Sequence, residues 1–155
     1  MIRQYTSTDK DELLHLLKLN TPRYFAASEE IDFITYLDNY LEDYFVVEDN
    51  GKIIGAGGIN YFFDNTEARL SWDLIHPDCQ GQGLGKQLTL HRINYLKNNT
   101  PVNLLYVRTT QLAYLFYQKM GFVLEKIEKD LWAPGFDLYQ MRMPLRKEIT
   151  TNQMG

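Results

Sequence analysis

A single cysteine, Cys79, occurs in the 155 residues. One thiol cannot close an intramolecular disulfide and supplies no set of thiolates for a structural zinc site. No run of about 20 apolar residues exists to span a bilayer. Positive charge is not in excess either. The formal net charge is −4, so no basic field invites nucleic acid or an anionic membrane. The opening residues, Met1 to Ser7, lack the long apolar core of a signal peptide. These absences lead us to expect a cytoplasmic protein with neither nucleic acid nor membrane among its partners and with no metal. Two phosphate-loop spacings are missing as well. G-x-G-x-x-G started at Gly81 would need glycine where Lys86 stands, and started at Gly83 it would need glycine at Leu88. G-x-x-x-x-G-K-[ST] ending at Gly85-Lys86 would need glycine at Gln80 and Ser or Thr at Gln87.

What is present is enough apolar material for one core. Hydrophobic residues make up 45% of a chain whose length suits one domain. We expect that domain to cover residues 1–145, with a polar, frayed tail over 146–155. The eleven tyrosines fit either a Tyr-rich core or a pocket and interface, and exposed aromatics leave room for a homodimer.

Patterning supplies the elements. Ile2 to Thr6 reads as a short strand. A helix follows from the Thr8-Asp9 cap to about Leu19, with Leu13, Leu14, Leu16 and Leu17 on its apolar side. A second helix is expected from Ser28 to about Leu41, with Glu29 and Glu30 in the turn where the dipole favours acids. Tyr44 to Glu48 and Ile53 to Tyr61 form a hairpin around Asn50-Gly51, a pair that tolerates the positive φ of tight turns. Gly55, Gly57 and Gly58 in the return strand predict a bulge or a close backbone approach. Thr66 to Ile75 is the next strand, and Lys86 to Lys97 a helix. Val102 to Val107 is a strand, and Leu112 to Met120 a helix stopped by Gly121. Strands at Phe122 to Ile127 and Leu138 to Met143 flank a turn at Trp132 to Gly135. The order β-α-α-β-β-β-α-β-α-β-β describes one mixed α/β domain.

The stretch of most chemical interest is Gln80-Gly81-Gln82-Gly83-Leu84-Gly85-Lys86, between a strand and a helix. Glycine permits positive φ and lets a ligand approach the main chain without a Cβ in the way. The helix that follows aims free N–H groups and its positive dipole end back at the loop. Such a loop seats phosphate oxygens.

Three motifs in order resemble the GNAT superfamily of acetyl-CoA-dependent N-acetyltransferases. They are the Asp49-to-Gly55 hairpin; Leu74-Ile75-His76-Pro77 followed by Gln80-x-x-Gly83-x-Gly85; and Ala113-x-x-Phe116-Tyr117-x-x-x-Gly121-Phe122. The resemblance implies a single-domain α/β fold with a mixed, mostly antiparallel central sheet flanked by helices, and a splayed strand pair in it. It implies acetyl-CoA as cosubstrate, its pyrophosphate held by the amides of Gln80, Gly81, Gln82, Gly83, Leu84, Gly85 and Lys86. The Lys86 side chain either adds charge there or is a solvated helix residue. The pantetheine arm would pair with backbone at Leu74 and Ile75. Thr110 stands where many relatives carry asparagine, and its shorter hydroxyl changes the contact expected with that arm.

The implied reaction is attack of a small-molecule or peptide amine on the thioester, both substrates bound together. Tyr117 matches the family tyrosine that protonates the leaving thiolate; its alternative is a core aromatic beside Phe116 and Phe122. For the base, Asp73 is the carboxylate that would share a face with Arg69, Ser71 and Ile75 by period two, unless a bulge intervenes. Its alternative is a structural hydrogen-bonding acid. His76 is expected to order the loop. Cys79 has no evident histidine–acid pair in sequence, and direct transfer does not need it. A catalytically idle acyl-CoA-binding or regulatory domain on the same fold is the alternative to an enzyme.

Overall fold

The computed structural model describes residues 1–146; nearly all of the expected tail, residues 147–155, lies outside them. The elements are β1 (Ile2–Gln4), α1 (Lys10–Leu19), α2 (Glu29–Thr35), β2 (Asp43–Asp49), β3 (Lys52–Phe62), β4 (Glu67–Ile75), α3 (Leu84–Asn99), β5 (Leu104–Thr109), α4 (Tyr114–Lys119), β6 (Val123–Ala133) and β7 (Phe136–Pro144). Their order is the one expected. The strands form one sheet in the order β1-β2-β3-β4-β5-β7-β6. Every pairing is antiparallel except β4 with β5. That pair needs a crossover, and α3 supplies it. No helix among the described residues is long and apolar enough to cross a membrane.

Period-two alternation buries the central strands on both faces. In β2, Phe45 and Val47 enter one core while Tyr44 and Val46 enter the other. The first core lies under α3 and α4, where Leu88, Leu96, Tyr117 and Phe122 pack on Ile59, Leu105 and Met141. The second lies under α1 and α2. Leu13, Leu16 and Leu17 are spaced three and four apart, form one stripe, and meet Phe33, Ala56 and Leu74.

Two expectations on element ends need correction. The second helix does not run unbroken to Leu41. It is α-helical to Thr35 and continues as a π-helical turn, Tyr36–Tyr40. The wider turn buries the consecutive residues Tyr36 and Leu37 together. The strand expected to stop at Ile127 continues to Ala133, and the turn narrows to Pro134-Gly135. Charges at Lys126, Glu128, Lys129 and Asp130 hide this segment in the sequence, because an exposed edge strand has no apolar face to reveal it.

The site is positioned by two irregularities in β4. The parallel pairing with β5 lasts only from Glu67↔Leu104 to Leu70↔Val107. Beyond it, Ser71 to Ile75 stay with β3, while Arg108 and Thr109 stay with β7. The two strands part, as the family resemblance implies. Within this stretch Gly58 pairs with Ser71 and Ala56 with Leu74, so Gly57 faces two residues, Trp72 and Asp73. Trp72 carries φ 51°. This is a β-bulge. It overturns the period-two expectation that Asp73 shares a face with Arg69 and Ser71. Trp72 packs beside Phe25, Phe33 and Tyr36, and Asp73 turns to the α3 side. Gly57 and Gly58 are the close approaches their sequence implied. A Cβ on Gly57 would lie 2.6 Å from Asp73 Oδ1 and 2.8 Å from Arg92 Nη1, and one on Gly58 2.5 Å from Tyr44 Cδ2.

Candidate active site

Where β4 and β5 part, a cavity of about 640 Å³ opens. The loop before α3 forms one end. Gly81 and Gly83 have φ of 78° and 81°, and a Cβ at either would point into open space. Gly83 caps α3, whose first main-chain bond runs from the Gln87 N–H to the Gly83 carbonyl. The amides of Leu84, Gly85 and Lys86 therefore precede the first helical partner and carry the positive end of the dipole. Gly85 is small for another reason: the Phe116 ring lies 3.3 Å from where its Cβ would be. The Tyr24 hydroxyl donates to Gln80 Oε1 at 2.9 Å and ties the Tyr24-Phe25 loop to this end. His76 Nδ1 accepts the Asp78 N–H at 3.1 Å, the loop-ordering contact expected of it.

Most residues expected at a cofactor site meet here. Ile75, Gln80, Gly81 and Gly83 line the cavity, as do Leu84, Gly85, Lys86 and Thr110. Leu74 does not, because its side chain is buried in the core on the other face, and Gln82 is not part of the wall either. The Thr110 hydroxyl accepts the Leu112 N–H at 3.2 Å. Cys79 is a half-buried free thiol on the wall.

Tyr117 and Asp73 come together, with a third residue the sequence reading passed over. Arg92 is fully buried on α3 and grips Asp73 with both ends of its guanidinium, Nη1 to Oδ1 at 2.6 Å and Nη2 to Oδ2 at 2.9 Å. Nη1 also donates to the Gly58 carbonyl at 3.0 Å. The Tyr117 hydroxyl donates to Asp73 Oδ2. Burial alone would pull the Arg92 pKa down, but the Asp73 charge and hydrogen bonds outweigh it and hold it above the ordinary value. Burial, with Asp73 beside it, pushes the Tyr117 phenol well above 10. Arg92 did leave a signal. It sits four residues from both Leu88 and Leu96, so the helical repeat turns it inward.

A second carboxylate, Glu29, faces the cavity from the start of α2. It is 8% exposed and accepts the Ala26 N–H at 2.7 Å. Burial raises its pKa above the ordinary glutamate value. In sequence it is only an acid in a helical first turn. Trp72, Phe25 and Trp132 give this part of the wall its aromatic character.

The sequence family described as acetyltransferase (GNAT) domain matches residues 41–124, more than half of the chain. A comparison with curated protein sequences finds no match. Solved structures share the fold over nearly its full extent. One is an aminoglycoside 6'-N-acetyltransferase complexed with coenzyme A, at 14% identity, covering 97% of this chain and 99% of that one with TM-score 0.78. The ribosomal-protein-S18-alanine N-acetyltransferase from Escherichia coli gives 22% identity, 97% of both chains and TM-score 0.79. An N-acetyltransferase from Staphylococcus aureus Mu50 gives 21% identity, 94% and 98%, and TM-score 0.73. The family match spans the glycine loop, the parted strands and Tyr117 alike: the chain is an acyltransferase and belongs to the GNAT acetyltransferase family.

Proposed function

We propose that the protein carries an acetyl group from acetyl-CoA to a primary amine of a small molecule or peptide, by direct attack with both substrates bound together. The observation that carries this reading is the position of the positive-φ glycine turn and the α3 amides at one end of the β4–β5 gap, with Tyr117 on the same cavity. The residues fit the cosubstrate. Gly81 and Gly83 leave main-chain amides uncovered for pyrophosphate oxygens. The β4 edge from Ser71 to Ile75 faces the gap with no strand beside it, a place for an amide-bearing arm to pair. Acetyl-CoA supplies an activated acyl group on sulfur.

The chain's own residues then divide the remaining work. Main-chain N–H groups near Ile75 face the developing oxyanion. The Tyr117 phenol stays protonated at any working pH; its single O–H rests on Asp73 and turns from there to protonate the departing sulfur, the buried Arg92 charge tempering the phenolate left behind. Asp73, already accepting three bonds, holds that phenol in place; in our reading it is a positioning residue, not the base. Glu29 takes the proton of the incoming amine, because a carboxylate whose pKa burial has raised is the better acceptor. The acceptor is thus an amine that enters past Glu29 and Trp72.

Free-thiol release from acetyl-CoA over an amine panel tests the activity, and calorimetry with coenzyme A tests the loop. Gly83→Val should weaken coenzyme A binding at least about tenfold, because the φ of 81° and the bare amides both require glycine. Unchanged affinity would remove the loop from the site.

A further inference from the structure

Two arginines on the cavity wall have no anionic partner among the described residues. Arg69 on β4 and Arg108 on β5 lie on neighbouring strands, and Arg69 pairs in register with Tyr106, two residues before Arg108. Both line the cavity. Among the described residues, the arginines in ion pairs are Arg3, Arg92 and Arg142. Arg108 Nε is buried and makes no hydrogen bond. Each guanidinium lies instead over a ring, Arg69 5.1 Å from the Phe62 centroid and Arg108 5.4 Å from that of Trp132. Stacking of this kind fixes the plane of the fork and leaves its donors free at the rim. Burial, together with repulsion from Arg108, pulls the Arg69 pKa below its ordinary value. Two like charges gathered in a half-buried wall are costly unless an anion completes them. The Tyr36 hydroxyl, buried and without a hydrogen-bond partner, opens on the same cavity.

The carboxylates of the wall do not complete them. Asp73 is taken by Arg92, Glu29 accepts the Ala26 amide, and Glu42, which lines an adjoining hollow with Arg69 and Phe62, accepts from Asn60 Nδ2 and the Tyr61 N–H and forms no ion pair with Arg69. The phosphates of the cosubstrate do not reach them either. Arg69 precedes Ile75 by six residues, roughly 20 Å along β4 and away from the glycine loop. The missing anion therefore comes with the acceptor.

We propose that Arg69 and Arg108 form the seat for a carboxylate on the acceptor, so that the preferred substrates are amines that also carry a carboxylate, of the amino-acid type. This rests on the acetyl-transfer reading above and adds the class of acceptor. The fork geometry of two guanidiniums matches a planar carboxylate, while Glu29 faces the amine end. A polycationic amine meets two positive charges instead and is disfavoured.

The test is thiol release from acetyl-CoA with the common amino acids, their carboxamides and the matching decarboxylated amines. Acids should exceed their amides by at least about tenfold in kcat/KM, since charge-assisted hydrogen bonds are at stake. The acid-over-amide ratio should collapse in Arg69→Gln and Arg108→Gln and be partly kept in Arg69→Lys, which retains the charge and the stem. Amides or decarboxylated amines used as well as the acids, or a ratio untouched by the variants, overturn the carboxylate seat and leave acetyl transfer standing. If no amine releases thiol, melting of the coenzyme A complex decides. Stabilisation by amino acids that is lost in Arg69→Gln upholds the seat and sinks the transfer reading; its absence sinks both.

Discussion

Arg3–Asp9 and Arg92–Asp73 are the same pair of groups in opposite surroundings. Each guanidinium grips its carboxylate through two nitrogens, at 2.9 and 2.9 Å in the first pair and 2.6 and 2.9 Å in the second. In the first, the arginine side chain is 31% exposed and the aspartate 9%; in the second, the arginine is 0% exposed and the aspartate 22%. The partly exposed member shows what each pair is for. Arg3 reaches out to a second acid, Glu48, at 2.6 Å and fastens β1 and the start of α1 to β2. Asp73 faces a cavity and holds a phenol. A buried pair contributes little net stability, yet losing one partner strands a charge that water cannot reach. The pair at the site should therefore be the one whose disruption does most harm.

Arg92→Met measures that directly. It leaves Asp73 without its cation and should cost about 3–5 kcal/mol in equilibrium urea unfolding. Arg92→Met combined with Asp73→Leu should recover much of the loss; if the double variant is worse than the single, the stranded charge is not the cause. Tyr117→Phe removes only the hydroxyl. Turnover should fall about a hundredfold while coenzyme A affinity stays within about twofold; equal turnover would return Tyr117 to the role of a core aromatic. Glu29 stands between the extremes, buried like Asp9 and facing the cavity like Asp73. Glu29→Gln should lower kcat about a hundredfold. A base must be deprotonated to act, and burial lifts Glu29 above the ordinary glutamate range. The native rate should therefore decline as pH falls toward that raised value, and the variant should lose this limb. A profile of unchanged shape would exclude Glu29.

At the first pair the effects are smaller. Arg3→Ala should cost about 1 kcal/mol, since the guanidinium is partly solvated and screening weakens the pair. The Arg3 hydrogen bonds hold the Asp9 carboxyl below its ordinary pKa. A depressed acid stabilises the fold fully above its unfolded value of about 3.9, and that contribution fades as pH falls through the folded value. Asp9→Asn should flatten the acid end of the stability curve and lower the neutral region by a constant amount, its slope there unchanged. An acid limb identical to that of the native chain would mean that Asp9 is not its source.

The sequence made some parts of this molecule legible and not others, for physical reasons. The glycine loop could be read because positive φ and an uncovered backbone restrict the residue type. Leu13, Leu16 and Leu17 announced α1 by their spacing. The facing of Asp73 could not be read, because the bulge at Trp72 uses a bulky residue at φ 51°, where glycine would have advertised the turn. The Arg92 pairing joins residues 19 apart across two elements, a contact no local pattern encodes. Glu29 and Arg108 owe their significance to what surrounds them, which emerges only once the loop before α2 and the end of β5 face each other across the cavity.

The extra residue at Trp72 makes β4 two half-strands counted in opposite phase. The same residues paired evenly, without the bulge, would carry Asp73 onto the face of Ser71, beneath α1 and away from Arg92 and Tyr117. The catalytic alignment is thus stored partly as an odd number, one residue beyond what even pairing would count.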